Sequence, residues 1–267
     1  MIPEGGLIWK VIVPNYLIVK RKLVPWTPNQ RKIEIEITTL CSLACFNCDR
    51  SVRQAPCNES MSLEQIEKFI KESFDLNWQW DRIILIGGEP TVHPHFFQVL
   101  DIVKRYKDRY PNCVIEVATN GCGSKVNEVL AQMPDWVFVR NSKKQSIKHN
   151  FSSYNIAPID LKRYQKADFG RGCWITTTCG LGLTRHGYYP CGAGGSLDRI
   201  YGFGVGLKHL ESVTPEALQA QLKTLCKYCG HFKDNDNVAK VDSETVSPSW
   251  KTAYEKYSQK TPDLPSY

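Results

Sequence analysis

Three cysteines, Cys41, Cys45 and Cys48, follow directly on the alternating run Ile33-Glu34-Ile35-Glu36-Ile37, and this junction constrains the fold more than any other part of the chain. Alternation at period two puts the isoleucines on one face of a strand. Thr38-Thr39-Leu40 then carries the chain off the strand end into a loop that holds the thiols. Cysteine thiolates are the usual ligands of iron–sulfur clusters, and a cubane has four irons, so three closely spaced thiolates leave one iron open to another ligand. The competing reading is a zinc site, which takes a fourth Cys or His. Cys57, His93 and His95 are the candidates for that place.

Two further strands end in the same manner. Ile83-Ile84-Leu85-Ile86 stops at Gly87-Gly88-Glu89-Pro90, and Val114-Ile115-Glu116-Val117 stops at Ala118-Thr119-Asn120-Gly121. In parallel α/β architectures the loops after strand C-termini converge on one face, so the three motifs are expected to share a pocket. Between the strands the pattern is helical. Ser62 with Gln65 forms a capping box, and Leu63, Ile66, Ile70 and Phe74 recur at helical spacing, which predicts a helix over 62–75. Pro94 is expected to open a second helix bearing Phe97, Leu100 and Val103, with Tyr106 at its edge. A third helix around Val126, Val129, Leu130 and Met133 leads to a strand at 136–139, and another strand is expected within 147–156. Alternating strands and helices read as α/β, a partial barrel of parallel strands. Too few residues precede the next cysteine group for several more βα units at ~30 residues each.

From Cys173 onward the composition shifts to glycine, aromatic residues and cysteine. Cys173, Cys179 and Cys191 are followed by Cys226 and Cys229, the last two at metal-ligand spacing, and Thr184 to Cys191 reads as a tight hairpin ending on a thiol. Four cysteines drawn from these groups can enclose a second cluster, and a structural zinc ribbon is the alternative. The expected organisation is an N-terminal segment, 1–30, packed on the core; the partial barrel, 31–165; a small Cys-rich module, 166–232; and a polar tail, 233–267. The tail is expected to wrap the surface or be partly disordered, with a helix near Trp250, Tyr254 and Tyr257.

The Cys-x3-Cys-x2-Cys loop, the Gly-Gly-Glu-Pro segment and the Thr-Asn-Gly segment, each after its own strand, resemble the radical S-adenosylmethionine (SAM) superfamily over roughly residues 31–145. The resemblance implies that Cys41, Cys45 and Cys48 ligate a [4Fe-4S] cluster whose open iron is chelated by SAM. It also implies that Gly87, Gly88 and Glu89 contact SAM, with Asn120 as a further contact. The usual pattern has an aromatic residue immediately before the third cysteine. Here that place is Asn47 and the aromatic is Phe46, so which side chain packs on the adenine stays open. The later cysteines resemble the auxiliary-cluster modules called SPASM and, in shorter form, Twitch. The shorter form fits better, because no cysteine follows Cys229. That resemblance implies a second [4Fe-4S] cluster on Cys173, Cys191, Cys226 and Cys229, with Cys179 as the rival of Cys173.

A short barrel with such a module is similar to aminocyclitol dehydrogenases of the butirosin type. The similarity implies radical oxidation of a secondary alcohol in a sugar or aminocyclitol, with the second cluster accepting an electron. Arg140, at the end of the fourth strand, is expected to face the pocket and assist, or to contact the SAM carboxylate. Epimerisation is the alternative, with a thiol as hydrogen donor. Cys57, Cys113, Cys122 and Cys179 are left for it; Cys113 starts a strand and reads as core, which leaves Cys122 and Cys179. Peptide modification and a non-catalytic metal-binding protein are further alternatives.

Composition narrows the setting. A chain of 267 residues, 42% hydrophobic, can fill one sizeable core. Eleven cysteines with no visible signal peptide favour metal loading in the cytoplasm over a disulfide framework. The apolar stretch from Leu7 to Val13 is broken by Lys10 and Pro14 and falls short of the ~20 residues a bilayer span needs; Lys20, Arg21 and Lys22 offer at most a peripheral contact. The net charge of +7 is spread over several faces, suits an anionic small-molecule substrate, and comes with no nucleic-acid motif. An electron donor such as flavodoxin or ferredoxin is the implied partner.

Overall fold

In the computed structural model, residues 26–145, 154–232 and 244–267 are described. The first 25 residues, and most of the strand expected within 147–156, lie outside them. The sheet has six strands in the order β4-β3-β2-β1-β5-β6. β1 (Lys32–Thr38), β2 (Arg82–Gly87), β3 (Val114–Thr119) and β4 (Val137–Asn141) are parallel, with Ile33 opposite Ile83 and Ile83 opposite Ile115. β5 (Leu181–Thr184) lies parallel on the other side of β1, and β6 (Gly187–Tyr189) returns antiparallel to it. The hairpin that the sequence places in the Cys-rich module is therefore hydrogen-bonded into the sheet of the barrel.

One face of the sheet carries the apolar core. α1 (Leu63–Asp75) starts at Ser62, whose side chain accepts from the Gln65 N–H while Gln65 caps in return, so the expected capping box is present. α2 (Phe96–Arg109) begins two residues after Pro94, which stands outside the helix, and it buries Phe96, Val99, Leu100, Val103 and Tyr106. Phe97 is 39% exposed, and Tyr106 is central rather than peripheral. Its hydroxyl accepts from Trp80 N–H and donates to the Trp78 carbonyl, which removes the cost of burying it. Ile33, Ile35 and Ile37 pack with these helices. α3 (Ser124–Leu130) ends before Met133.

The other face of β1 is also buried, although it carries Glu34 and Glu36. Arg50 from the cysteine loop supplies the compensation that buried carboxylates require. It donates to Glu34 at 2.9 Å and lies 3.6 Å from Glu36. The C-terminal elements close this side: α4 (Trp174–Thr178), α5 (Gly194–Tyr201), α6 (Pro215–Leu225) and α7 (Pro248–Gln259). α7 buries Trp250, Ala253 and Tyr257, in keeping with the expected helix. The described part of the tail does more than wrap the surface. Glu244 accepts from Asn47 N–H at 3.0 Å, Gln54 at 2.7 Å and Asn155 at 2.8 Å, so it ties the cysteine loop to distant segments.

Candidate active site

The loops after β1, β2 and β3 meet at one cavity of about 380 Å³. Cys41, Cys45, Cys48, Gly87, Gly88, Thr119 and Asn120 line it, together with Glu34, Arg50, Arg140, Lys144 and Cys179. The two glycines are required by packing. The chain after β2 runs so close to the chain after β1 that Gly88 N–H donates to the Thr38 carbonyl at 2.9 Å and Glu89 N–H to the Leu40 carbonyl at 2.7 Å. A side chain on Gly87 would overlap the Thr38 carbonyl, and one on Gly88 the Leu40 carbonyl.

Glu89 is placed differently from the expectation. Its fully buried carboxylate does not line the cavity. It accepts from the Thr91 and Thr119 hydroxyls, each at 2.8 Å, and from Asn120 N–H at 2.7 Å, binding the β2 loop to the β3 loop. Asn120 turns its amide toward the cysteines, 3.2 Å from the Ser42 hydroxyl and 3.8 Å from Cys41 Sγ. Phe46 does not line the cavity either; the Arg53 guanidinium stacks on its ring at 4.4 Å, and Leu43 and Val52 provide the apolar lining in this loop. Asn47 has φ 50°, a left-handed conformation that Asn tolerates far better than an aromatic residue. Its side chain accepts from Thr245 N–H at 3.0 Å. Backbone geometry thus accounts for the asparagine at this place.

Arg140 lines the cavity as expected, while its guanidinium pairs with the buried Glu116 of β3, which Arg82 also engages at 2.6 Å. Glu34 and Arg50 are the residues that sequence reasoning missed. Alternation marked Glu34 only as the outward position of a strand, and nothing in Asp49-Arg50 marked a loop arginine that turns inward. Arg50 also donates to the Gly192 carbonyl, and any side chain on Gly192 would overlap the Glu34 carboxylate.

The remaining cysteines separate in space. Cys173, Cys191, Cys226 and Cys229 line a second, much smaller cavity of about 10 Å³ with Pro190, Leu197, Leu225 and Phe232. Cys179 faces the first cavity, and Ile175 and Ala193 line both. Cys113 is buried in the core and its thiol is pushed up to about 11 by burial. Cys57 donates to the Thr39 hydroxyl at 3.3 Å. Both ring nitrogens of His93 are engaged, with the Met61 carbonyl and the His95 N–H, and burial lowers its pKa. Among the described residues, no three His, Cys, Asp or Glu side chains converge on a single ion.

Burial disfavours the thiolates in both groups. It raises Cys41, and it pushes Cys48, aided by Asp49, up to about 12. Cys191 reaches about 12 through burial and then Cys173, and Cys229 lies well above its ordinary value. Cys179 is pushed to about 12 by burial and then by Glu34. Such thiols are protonated at neutral pH.

Residues 35–139 match the model of the radical SAM superfamily. The chain carries a radical SAM domain. This domain implies a [4Fe-4S] cluster and SAM, and the thiol-rich cavity beside the Gly-Gly segment has the donor set such a group takes. Among curated relatives, a probable GTP 3′,8-cyclase of Thermococcus kodakarensis is 30% identical over 136 residues, 51% of this chain and 39% of that protein. One from Methanococcus maripaludis is 29% identical over 93 residues, 34% of this chain and 28% of that protein. The chain therefore matches about two fifths or less of the length of these relatives. Among solved structures, BtrN in complex with AdoMet and 2-DOIA aligns with 81% of this chain and 99% of its own, at 16% identity and a TM-score of 0.49. SuiB of Streptococcus suis bound to S-adenosylmethionine aligns with 52% of this chain and 30% of its own, at 14% identity and a TM-score of 0.30. Similarity at that level carries no functional argument. No helix among the described residues is long and apolar enough to cross a membrane.

Proposed function

We propose that the chain is a radical SAM oxidoreductase that removes two electrons from an alcohol of a polar small molecule, a sugar or aminocyclitol. The partition of the cysteines carries this reading: Cys41, Cys45 and Cys48, with Cys179 opposite, line a roomy cavity with polar walls, and four others line a small apolar one behind Ile175 and Ala193. In it, Cys41, Cys45 and Cys48 hold the SAM-binding [4Fe-4S] cluster, and Cys173, Cys191, Cys226 and Cys229 hold a second one. The grouping favours Cys173 over Cys179 as the fourth ligand. When bound, the two clusters and SAM supply a 5′-deoxyadenosyl radical that takes a carbon-bound hydrogen, and an acceptor for the remaining electron.

The residues of the chain then have defined tasks. Gly87 and Gly88 let the β2 loop close on the cysteine loop and line the cavity that takes SAM, and the Asn120 amide orients Cys41. Glu34, held in place by Arg50, is positioned to take the hydroxyl proton, while Arg140 and Lys144 attract an anionic part of the substrate. One hydrogen atom, one proton and one electron leave the alcohol, and a carbonyl remains. A carrier such as flavodoxin or ferredoxin supplies electrons, in the cytoplasm, where thiols stay reduced.

One observation favours a second reading, epimerisation. The Cys179 thiol faces the first cavity, where it can return a hydrogen atom to the opposite face of the substrate. Solvent deuterium on product carbon distinguishes epimerisation from oxidation.

Iron and sulfide content after reconstitution without oxygen tests the main reading. About eight irons are expected in the wild type, and about four after Cys41, Cys45 and Cys48 are changed to alanine. About four in the wild type and none in that variant would make the second group something other than a cluster site, and the electron-acceptor scheme would fail.

A further inference from the structure

The second cysteine cavity shares Ile175 and Ala193 with the first, and Cys226 and Phe232 line it elsewhere. A small apolar cluster of Phe169, Leu222, Cys226 and Phe232 covers it, with Tyr164 and Ala167 packed against it. The segment from Ile159 to Arg171 wraps this cluster. Ile159 N–H donates to the Lys227 carbonyl at 3.0 Å, and the Phe169 and Phe232 rings pack tilted with centroids 4.9 Å apart. The side chain of Lys223 on α6 lies against Gly170. Lys162, Arg163, Lys166 and Lys223 are exposed on the rim, and Trp174 and Ile159 stand 48% and 39% exposed beside it.

The carboxylates of this segment are already engaged. Asp160 accepts from Ser249 N–H at 2.9 Å and from its hydroxyl at 2.5 Å, and Asp168 caps Gly170 N–H at 3.1 Å. The contrast with α2 is informative, because Lys104 and Arg105 there are neutralised by Asp108 and Glu67. Among the described residues, no ion pair is made by Lys162, Lys166 or Lys223. An apolar centre that includes Cys226, flanked by the exposed lysines Lys162, Lys166 and Lys223, is the arrangement that attracts an acidic partner by its field and lets it leave quickly.

We infer that this face docks a small acidic electron-transfer protein, which exchanges one electron with the centre held by the four cysteines. The inference rests on the two-cluster reading above and assigns the place of contact. No bond or proton changes hands in the exchange; the carrier gains the electron that the second centre loses, or the reverse.

The test uses flavodoxin as the probe, with the reconstituted protein, and measures affinity by calorimetry at several salt concentrations. The K162E/K166E/K223E variant is expected to bind about ten-fold or more weakly and to show a flatter salt dependence, whereas the charge-matched K71E/K104E/K125E variant keeps wild-type affinity. K162Q/K166Q/K223Q, a milder change, is expected to fall between. Equal affinity in the rim variants and the wild type, or equal losses in the rim and control variants, would overturn the inference. Iron and sulfide measured on the same samples keep the two ideas apart. Wild-type iron near four would defeat the two-cluster reading whatever the affinities show, and wild-type iron near eight with unselective binding would defeat only the docking face.

Discussion

The two cysteine cavities share Ile175 and Ala193 as a wall yet differ in almost every physical respect. The first holds about 380 Å³ and is walled by Glu34, Asp49, Arg50, Arg140 and Lys144 as well as by thiols. The second holds about 10 Å³ and is walled largely by Pro190, Leu197, Leu225 and Phe232. The first cavity, with charged walls, has room for a small molecule, whereas the second, lined mainly by apolar side chains and thiols, is nearly filled by its own lining. The same distinction separates catalytic from structural metal sites, where an open coordination position marks the catalytic one. The chain therefore builds two thiol-lined cavities from one residue type, and the difference between them lies in their size and in what surrounds the thiols.

The largest expected effect breaks the comparison at its centre. Cys45→Ser should abolish SAM cleavage to the background level, because it removes a ligand from the open site. Cys226→Ser should leave cleavage within a few fold while lowering iron content and thermal stability, since metal binding at a closed site is folding free energy. 5′-Deoxyadenosine formation and iron content, measured on both variants, check this. Equal loss of cleavage in the two would mean that the sites do not divide the work.

The next effect concerns the joint between the sites. Arg50 lies two residues after Cys48 and engages Glu34, Glu36 and the carbonyl beside Cys191. Arg50→Met should cost about 3–5 kcal/mol, because it leaves two buried carboxylates uncompensated. The pH dependence has a definite sign. Burial raises the Glu36 pKa above its ordinary value, and Arg50 opposes that shift. Without the arginine the folded state holds a proton over a wider range than the unfolded state. The loss in R50M should therefore shrink as the pH falls through the raised pKa toward about 4.5, and grow as the pH rises. Denaturant melts at several pH values provide the measurement. Gly192→Ala strikes the same joint more mildly. The added methyl overlaps Glu34, and overpacking of this kind costs about 1–3 kcal/mol, readable as a lower melting temperature.

These residues also show what could be read from the sequence. The three strand-end motifs and the capping box at Ser62 were legible, because each is a local pattern with a local physical cause. Glu34 and Glu36 were misleading for the same reason. Period two says that they oppose the isoleucines, and only the tertiary fold says that α5 and the cysteine loop cover them. Glu89 was legible as part of the site but not as an interior clamp, since that role requires Thr119 and Asn120 to arrive from another strand. The separation of Cys179 from Cys173 is likewise a matter of packing. Six residues apart in sequence, the two lie at opposite ends of the short helix α4 and face different cavities.

The smallest expected effect lies at the outer edge of the same joint. Glu59, in the segment that follows the cysteine loop, stands against Arg185 at 3.1 Å and His186 at 3.7 Å, both in the β5–β6 turn. The His186 hydrogen bond, despite partial burial and with help from Arg185, holds the Glu59 carboxyl below its ordinary value. A depressed carboxylate stabilises the fold above the unfolded pKa, and that contribution is lost as the pH falls through the folded one. Glu59 is about one third exposed, so screening limits the pair to under about 1 kcal/mol. Glu59→Gln should thus lower stability slightly at pH 7 and progressively less as the pH falls through the folded pKa, and the difference should narrow in high salt. A loss as large as that of Arg50→Met would show that the hairpin is held to the cysteine loop from the edge and not through the buried arginine.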